Sequence, residues 1–234
     1  MKRVLPLVIV LGVLGIVLLA VWYLSRSTAE RPLASRPGAS LPNTPTRSIT
    51  LGADPPHMLG TQDASVMLEE FGDFECSSCA VLHPILAMMK SEFGPRLVIV
   101  FRQFPISTHK HALAAAQAAE AAALQGKFWE MHNLLYENQK TWHDAAEVQP
   151  IFEEYATRIG LRLDDFRRDV SSEIVNRRIG LDKERGYSIG VNSTPIVFIN
   201  GREVTLEYLE SVKLRELIKA EIRSGGDQPN HPHV

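Results

Sequence analysis

The sequence predicts an α/β fold: a small mixed sheet covered by helices, with a helical insertion at its centre, preceded by a single N-terminal transmembrane helix. Three observations carry this. The first is an apolar run from Val4 to Leu24. The second is the order that follows it: strand, helix, strand, a long helical block, then hairpin and helix. The third is a pair of cysteines, Cys76 and Cys79, where the first strand gives way to the first helix. With 234 residues, 45% hydrophobic and 22% charged, the chain can bury one good core and has length for one folded domain plus extensions.

Residues 1–24 are read as a short cytoplasmic tip and a transmembrane signal anchor. The apolar run has the roughly 20 residues a helix needs to cross a bilayer core. Lys2 and Arg3 precede it and Trp22 and Tyr23 close it as an interfacial belt, which places the bulk of the chain outside the cytoplasm. A cleaved signal peptide is the competing reading, because Ser27-Thr28-Ala29 resembles a small-residue cleavage site. The run is longer than the roughly 7 to 15 apolar residues of such peptides, so an uncleaved anchor is expected. Residues 25–58, dense in Pro, Ser, Thr, Arg and Gly without apolar periodicity, read as a flexible linker.

The folded domain is expected over 59–223. Val66 to Phe71 has the length and apolar character of a buried strand, Ser77 to Phe93 has apolar residues at helical spacing with Pro84 as a kink, and Leu97 to Phe104 is a second buried strand. A helical insertion over about 107–190 follows, with helices predicted at His109 to Tyr136, Glu147 to Ile159 and Glu173 to Tyr187. Phe128, Trp129, Met131 and Leu135 share helical spacing and read as its core. Ile196 to Ile199 then forms a strand, Asn200-Gly201 a two-residue hairpin turn, and Leu206 to Ile222 a last helix before a frayed tail over 224–234.

Net charge is −2, with no Lys/Arg stripe interleaved with aromatics, so nucleic acid is excluded as a partner. The chemistry is expected at the only two cysteines. At a helix N-terminus, unpaired N–H groups and the macrodipole stabilise an anion, so Cys76 should ionise more readily than an ordinary thiol. It would exchange disulfides through a mixed disulfide that Cys79 resolves. A structural disulfide closing so short a loop would gain little chain entropy. Half of a zinc site lacks a second cysteine pair. A Cu(I) metallochaperone using the same thiols, with a Met or His as third ligand, remains an alternative. So does a tethered binding or chaperone module in which the cysteines are vestigial.

These residues resemble the thioredoxin superfamily, and within it the DsbA-like branch of extracytoplasmic disulfide oxidoreductases. Cys76-Ser77-Ser78-Cys79 stands where the family has its active site, with Pro84 at the place of its helix-kinking proline. Glu70, six residues before Cys76, stands where the family carries a buried acid that handles protons. Thr194-Pro195 looks like the family's cis-proline loop, whose backbone would pair with an extended substrate. The long helical insertion is similar to the DsbA-like arrangement and unlike plain thioredoxin.

The resemblance implies a thioredoxin-like fold and a protein disulfide oxidoreductase, most simply a disulfide-forming oxidant, with a reductase or isomerase as the alternative. It needs no cofactor and no metal. Its partners would be cysteine-containing secreted or membrane proteins and a membrane redox partner that recycles the dithiol. It would be a single-pass protein of a bacterial inner or cell membrane, its catalytic domain on the periplasmic or extracellular side, and monomeric. One departure is the dipeptide: the best-known strongly oxidising member has Pro-His between its cysteines, where this chain has Ser-Ser. That implies a milder oxidant, with the Ser77 and Ser78 hydroxyls left to hydrogen-bond the thiolate. Alternation does not distinguish Glu69 from Glu70 as the relay. Glu75 would tune Cys76 by repulsion or occupy the acidic first turn of the helix. His83, His109 and His111 read as surface or core residues, and His231 and His233 as adventitious metal ligands at most.

Overall fold

The computed structural model describes residues 51–225 together with Leu19 and Trp22. The anchor expected over 1–24 and most of the linker lie outside the described residues, as does the tail beyond Gly225. Leu19 and Trp22 are helical and exposed. Among the described residues no helix is long and apolar enough to cross a membrane. The chain divides into Met1–Thr46 and Arg47–Val234, and the second unit carries the fold described below.

A five-stranded sheet has the order β1-β3-β2-β4-β5, formed by β1 (His57–Leu59), β2 (Val66–Gly72), β3 (Leu97–Gln103), β4 (Ile196–Ile199) and β5 (Arg202–Val204). β2 and β3 run parallel, with Leu68 opposite Ile99 and Glu70 opposite Phe101; β1, β4 and β5 join antiparallel. The parallel pair is bridged by α1 (Ser77–Phe93), which continues through Pro84 and ends at Gly94. The insertion between β3 and β4 comprises α2 (Ala112–Ala123), α3 (Phe128–Glu137), α4 (Gln139–Trp142), α5 (Gln149–Arg158), α6 (Leu163–Asp169) and α7 (Glu173–Ile189). α8 (Ser211–Gly225) closes the fold. The β4–β5 hairpin turns at Asn200 and Gly201, both at positive φ (49° and 77°), as a twist-matched two-residue turn requires.

Both faces of the sheet are covered, and this positions the site. On one face Val66 and Leu68 of β2 and Leu97 and Ile99 of β3 pack against α1 and α8. On the other, Phe71 and Phe198 meet Phe104 and Val191. On that second face Glu69 bonds Arg102 of β3 (2.9 Å) and Arg185 of α7 (2.7 Å), and Arg102 reaches Asp182 at 3.0 Å. Asp182 also accepts from the backbone N–H of Ala53 (2.8 Å) and of Gln103 (3.1 Å). These mutually satisfied charges fasten the segment before β1, β3 and α7 to one another. The insertion has its own core, in which α2 buries most of its alanines; such small side chains let α3, α6 and α7 approach closely.

Four expectations are corrected. Order begins before residue 59: His57–Leu59 is a strand, and Ala53 is buried, its carbonyl held by Arg102 at 2.8 Å, so the linker expected over 25–58 does not extend past Ala53. The helix expected over His109 to Tyr136 is two helices, broken at Gly126, whose φ of 74° ends the first. α6 was not expected. The last helix starts at Ser211, after a 3-10 turn at Leu206–Tyr208, and runs to Gly225, into the expected tail.

Candidate active site

β2 ends at Gly72, where only glycine fits: a Cβ there would lie 2.4 Å from Cε2 of Phe101. The chain then turns sharply. The buried Asp73 carboxylate organises the turn, accepting from the N–H of Glu75 (2.8 Å) and of Ile106 (2.8 Å) and pairing with His109 Nδ1 at 2.7 Å. Gln139 of the insertion donates from Nε2 to the carbonyls of Phe74 (2.7 Å) and Cys76 (3.0 Å). Asp73 and Gln139 were not singled out from the sequence. Both lie at the ends of elements, where only the three-dimensional path reveals which loop they hold.

Cys76 thereby becomes the N-cap of α1, partly exposed, with Cys79 fully buried one turn on. Both thiols are free. The Cys76 thiol is lowered from the ordinary 9.0 to about 5: hydrogen bonds from the Cys79 thiol, the Thr194 side chain and the N–H groups of Cys79 and Ser78 favour the anion and outweigh burial. Protonated, Cys76 instead donates to the Thr194 carbonyl at 3.4 Å. The Cys79 thiol is pushed well above the ordinary range by burial, and further by Cys76 and Glu70. The two sulfurs are thus chemically unequal. Ser77 and Ser78 are exposed, and it is the Ser78 backbone N–H, rather than the expected hydroxyls, that reaches the thiolate.

The remaining expected residues fall as follows. Thr194-Pro195 is a cis peptide against Cys76. Glu70 is buried on the cysteine face of the sheet, its carboxyl raised from 4.5 to about 8 by burial and by the charge of Cys76. Glu69, one residue earlier, points to the other face into its two arginines, which resolves the ambiguity of alternation. Glu75 precedes the cap, so it is not in the first turn of α1; its buried carboxylate accepts from the His111 N–H and lies 3.7 Å from His143 Nδ1. His111 is buried, and His83 stacks on Tyr136. Among the described residues no group of three or more His, Cys, Asp or Glu side chains is placed to hold a metal. Beside Cys76 an apolar groove of about 370 Å³ runs between Val81, Ile85, Pro195, Leu206 and Leu209.

The family described as Thioredoxin matches residues 53–220. Among curated proteins the chain is similar to "Na(+)/H(+) antiporter NhaA 1" of Mycolicibacterium vanbaalenii, at 38% identity over 152 residues, covering 63% of this chain and 24% of that protein. It is also similar to "Na(+)/H(+) antiporter NhaA 3" of Salinispora tropica, at 33% over 189 residues, covering 78% and 28%. The chain therefore spans about a quarter of the length of these relatives. Among solved structures it is similar to oxidised BdbD of Bacillus subtilis, with a TM-score of 0.63 and 22% identity over 75% of this chain and 98% of that one. A thioredoxin-like oxidoreductase from Silicibacter pomeroyi gives 0.61 and 23%, covering 73% and 94%. The alpha-DsbA1 of Wolbachia pipientis gives 0.63 and 17%, covering 74% and 93%. At these identities the likeness is one of fold.

Proposed function

The chain belongs to the thioredoxin family, and from that membership and the inequality of its two thiols we propose that it is a membrane-anchored, extracytoplasmic thiol-disulfide oxidoreductase that forms disulfides in secreted or membrane proteins. The observation that carries this reading is a partly exposed Cys76 with a pKa near 5 beside a buried Cys79 held well above the ordinary range. A thiolate so stabilised is a good leaving group, and its stability draws the protein toward the reduced form, which makes the couple oxidising.

In the forward cycle a substrate thiolate attacks Cys76 of the Cys76–Cys79 disulfide, and Cys79 leaves with the electron pair and takes a proton. A second substrate thiolate then attacks the substrate sulfur of the mixed disulfide, and Cys76 leaves as the stable anion. The substrate has lost two electrons and the protein has gained them, to be removed by a membrane redox partner. The Thr194 backbone offers strand-like pairing to the substrate, and the apolar groove at Val81 and Leu206 offers side-chain burial. Glu70 serves the proton of Cys79. The ion exchange named for the curated relatives is not carried over, because the match spans only about a quarter of their length.

Equilibrating the purified chain with glutathione buffers and counting free thiols by alkylation tests the reading. A potential near about −120 to −180 mV is expected of an oxidant; one near about −230 to −270 mV would make the protein a reductase. Loss of exchange in Cys76→Ala is the control, and exchange surviving it would refute the assignment of the nucleophile.

A further inference from the structure

The last turn of α3 brings to the cysteines a side chain that the exchange cycle has not used. Tyr136 is buried, its ring held by Phe74 at 4.9 Å, by His83 stacked on it at 5.2 Å and by His132 at 5.0 Å. Its hydroxyl is buried as well, and among the described residues it has no hydrogen-bond partner. An O–H shut away from water and left unpaired is destabilising, and native folds keep few of them. A phenylalanine would fill the same space without that penalty.

The backbone at the end of β2 fixes where this hydroxyl stands. A Cβ at Gly72 would lie 3.0 Å from the Tyr136 oxygen, so the hydroxyl rests against the chain where it turns toward the cysteines. The N–H of the next residue, Asp73, bonds the Cys79 sulfur and favours its anion. Phenol and sulfur thus meet one stretch of backbone, Gly72–Asp73, and share one buried cluster with Phe74 and Phe101. Burial, and then the charges of Cys79, Glu70, Asp73 and Cys76 in that order, hold the phenol well above the ordinary 10.0, so it keeps its proton and stays a donor. Both thiols are free in this structure, and Cys79, pushed up by burial, is protonated. A neutral thiol is a weak acceptor, whereas a thiolate accepts strongly. The hydroxyl is therefore idle at rest and gains a partner whenever Cys79 carries charge.

We propose that Tyr136 is a catalytic residue of the exchange: its O–H, together with the Asp73 N–H, forms a two-donor pocket for the negative charge that develops on Cys79. The inference rests on the oxidoreductase reading above and deepens it. When the substrate thiolate forms its bond to Cys76, the Cys76–Cys79 bond breaks and the electron pair leaves on Cys79. The two donors hold that charge until the sulfur takes its proton, and the phenol gives none up. Donors aimed at charge that exists only along the reaction speed it without stabilising the resting state. The helical insertion therefore contributes a reacting group to the site as well as the cover that buries Cys79.

Rapid mixing of the oxidised full-length chain with a reduced cysteine peptide tests the assignment through Tyr136→Phe, which removes one oxygen and keeps the ring among its aromatic neighbours. Release of Cys79 is expected to slow about 10- to 100-fold, as loss of a hydrogen bond to a charged group does. Two further readouts separate this from a packing role. Alkylation of Cys76 in the reduced protein should run as in the unaltered chain. The urea midpoint of the reduced protein should hold or rise, because the variant discards an unpaired hydroxyl. Release at the unaltered rate, an equal loss in alkylation and release, or a lowered midpoint would each overturn the proposal. Should the variant fail to fold, the native sequence decides by itself. Alkylating Cys76 removes the hydrogen bond and charge that help to raise Cys79. With the tyrosine rings isotope-labelled, the Tyr136 resonance, assigned through its contacts to Phe74 and His83, should then shift as rising pH ionises Cys79. A resonance indifferent to that step would refute the pocket. Absence of any exchange by the unaltered chain would instead sink the oxidoreductase reading beneath it.

Discussion

Titrating Cys76 probes the electrostatics of the site directly. A thiol near 9.0 is about 1% ionised at pH 7, and one near 5 about 99%, a gain of about a hundredfold in thiolate. Nucleophilicity falls with pKa, with a Brønsted slope of about 0.4–0.5, so a drop of about four units weakens each thiolate about 40- to 100-fold. The two effects nearly cancel, and alkylation of Cys76 at pH 7 should run within a few-fold of an ordinary exposed thiol. What survives is the stabilisation of the reduced form. At pH 7 the anion is favoured by about two pKa units, on the order of 2–3 kcal/mol after allowance for solvent at a partly exposed sulfur. For a two-electron couple this makes the potential about 40–60 mV more oxidising. Because the pKa is depressed, the contribution grows as pH rises above about 5 and disappears below it. The assay is thiolate absorbance and alkylation rate against pH, paired with the potential at pH 5 and 7. A midpoint above about 8, or a potential with no added pH dependence across that interval, would refute the reasoning.

Thr194→Val removes a hydrogen bond to the Cys76 anion and should raise the titration midpoint by about one unit, since bonds to charged groups contribute about 1.5–3 kcal/mol. Glu70→Leu should stabilise the fold by up to about 3 kcal/mol at pH 7 and by nothing near pH 4. A carboxyl raised to about 8 penalises the native state only once the unfolded chain ionises, from about pH 4.5 upward; urea midpoints at the two pH values read this. The same variant should slow every step in which Cys79 gains or loses its proton. Asp182→Ala strips Arg102, Ala53 and Gln103 of their shared acceptor and should cost about 3–5 kcal/mol, a fall in Tm on the order of 10 °C in calorimetry.

Much of this was legible beforehand because local chemistry and global position agree at the cysteines. A strand ending in Gly-Asp, a Cys pair, then helical periodicity fixes the pair at a helix N-terminus whatever the rest of the chain does. The Asn-Gly hairpin and the helix over Ser77–Phe93 were legible for the same reason. Glu69 against Glu70 was not, because a strand buried on both faces has no polar side for alternation to reveal. β1 escaped notice because a three-residue strand behind Pro55-Pro56 looks like linker, and its anchorage comes from Arg102 and Asp182, far along the chain. Tyr136 lay in plain sight, one turn after His132 and two after Phe128, on the face that packs inward. Its unpaired hydroxyl becomes visible only once α3 is laid against Gly72.

The contact between Cys76 and Thr194 joins residues 118 apart in sequence. A ribosome adding about 5–20 residues per second takes about 6 to 24 s to cover that interval. During it the cysteines exist without the loop that helps ionise Cys76, while the helical block that buries Cys79 is still being made. Their thiols are then ordinary ones, slow to leave and unremarkable as oxidants. What the docking of the Thr194 loop completes is the stability of the Cys76 anion, so an unfinished copy is a weaker oxidant than the finished chain.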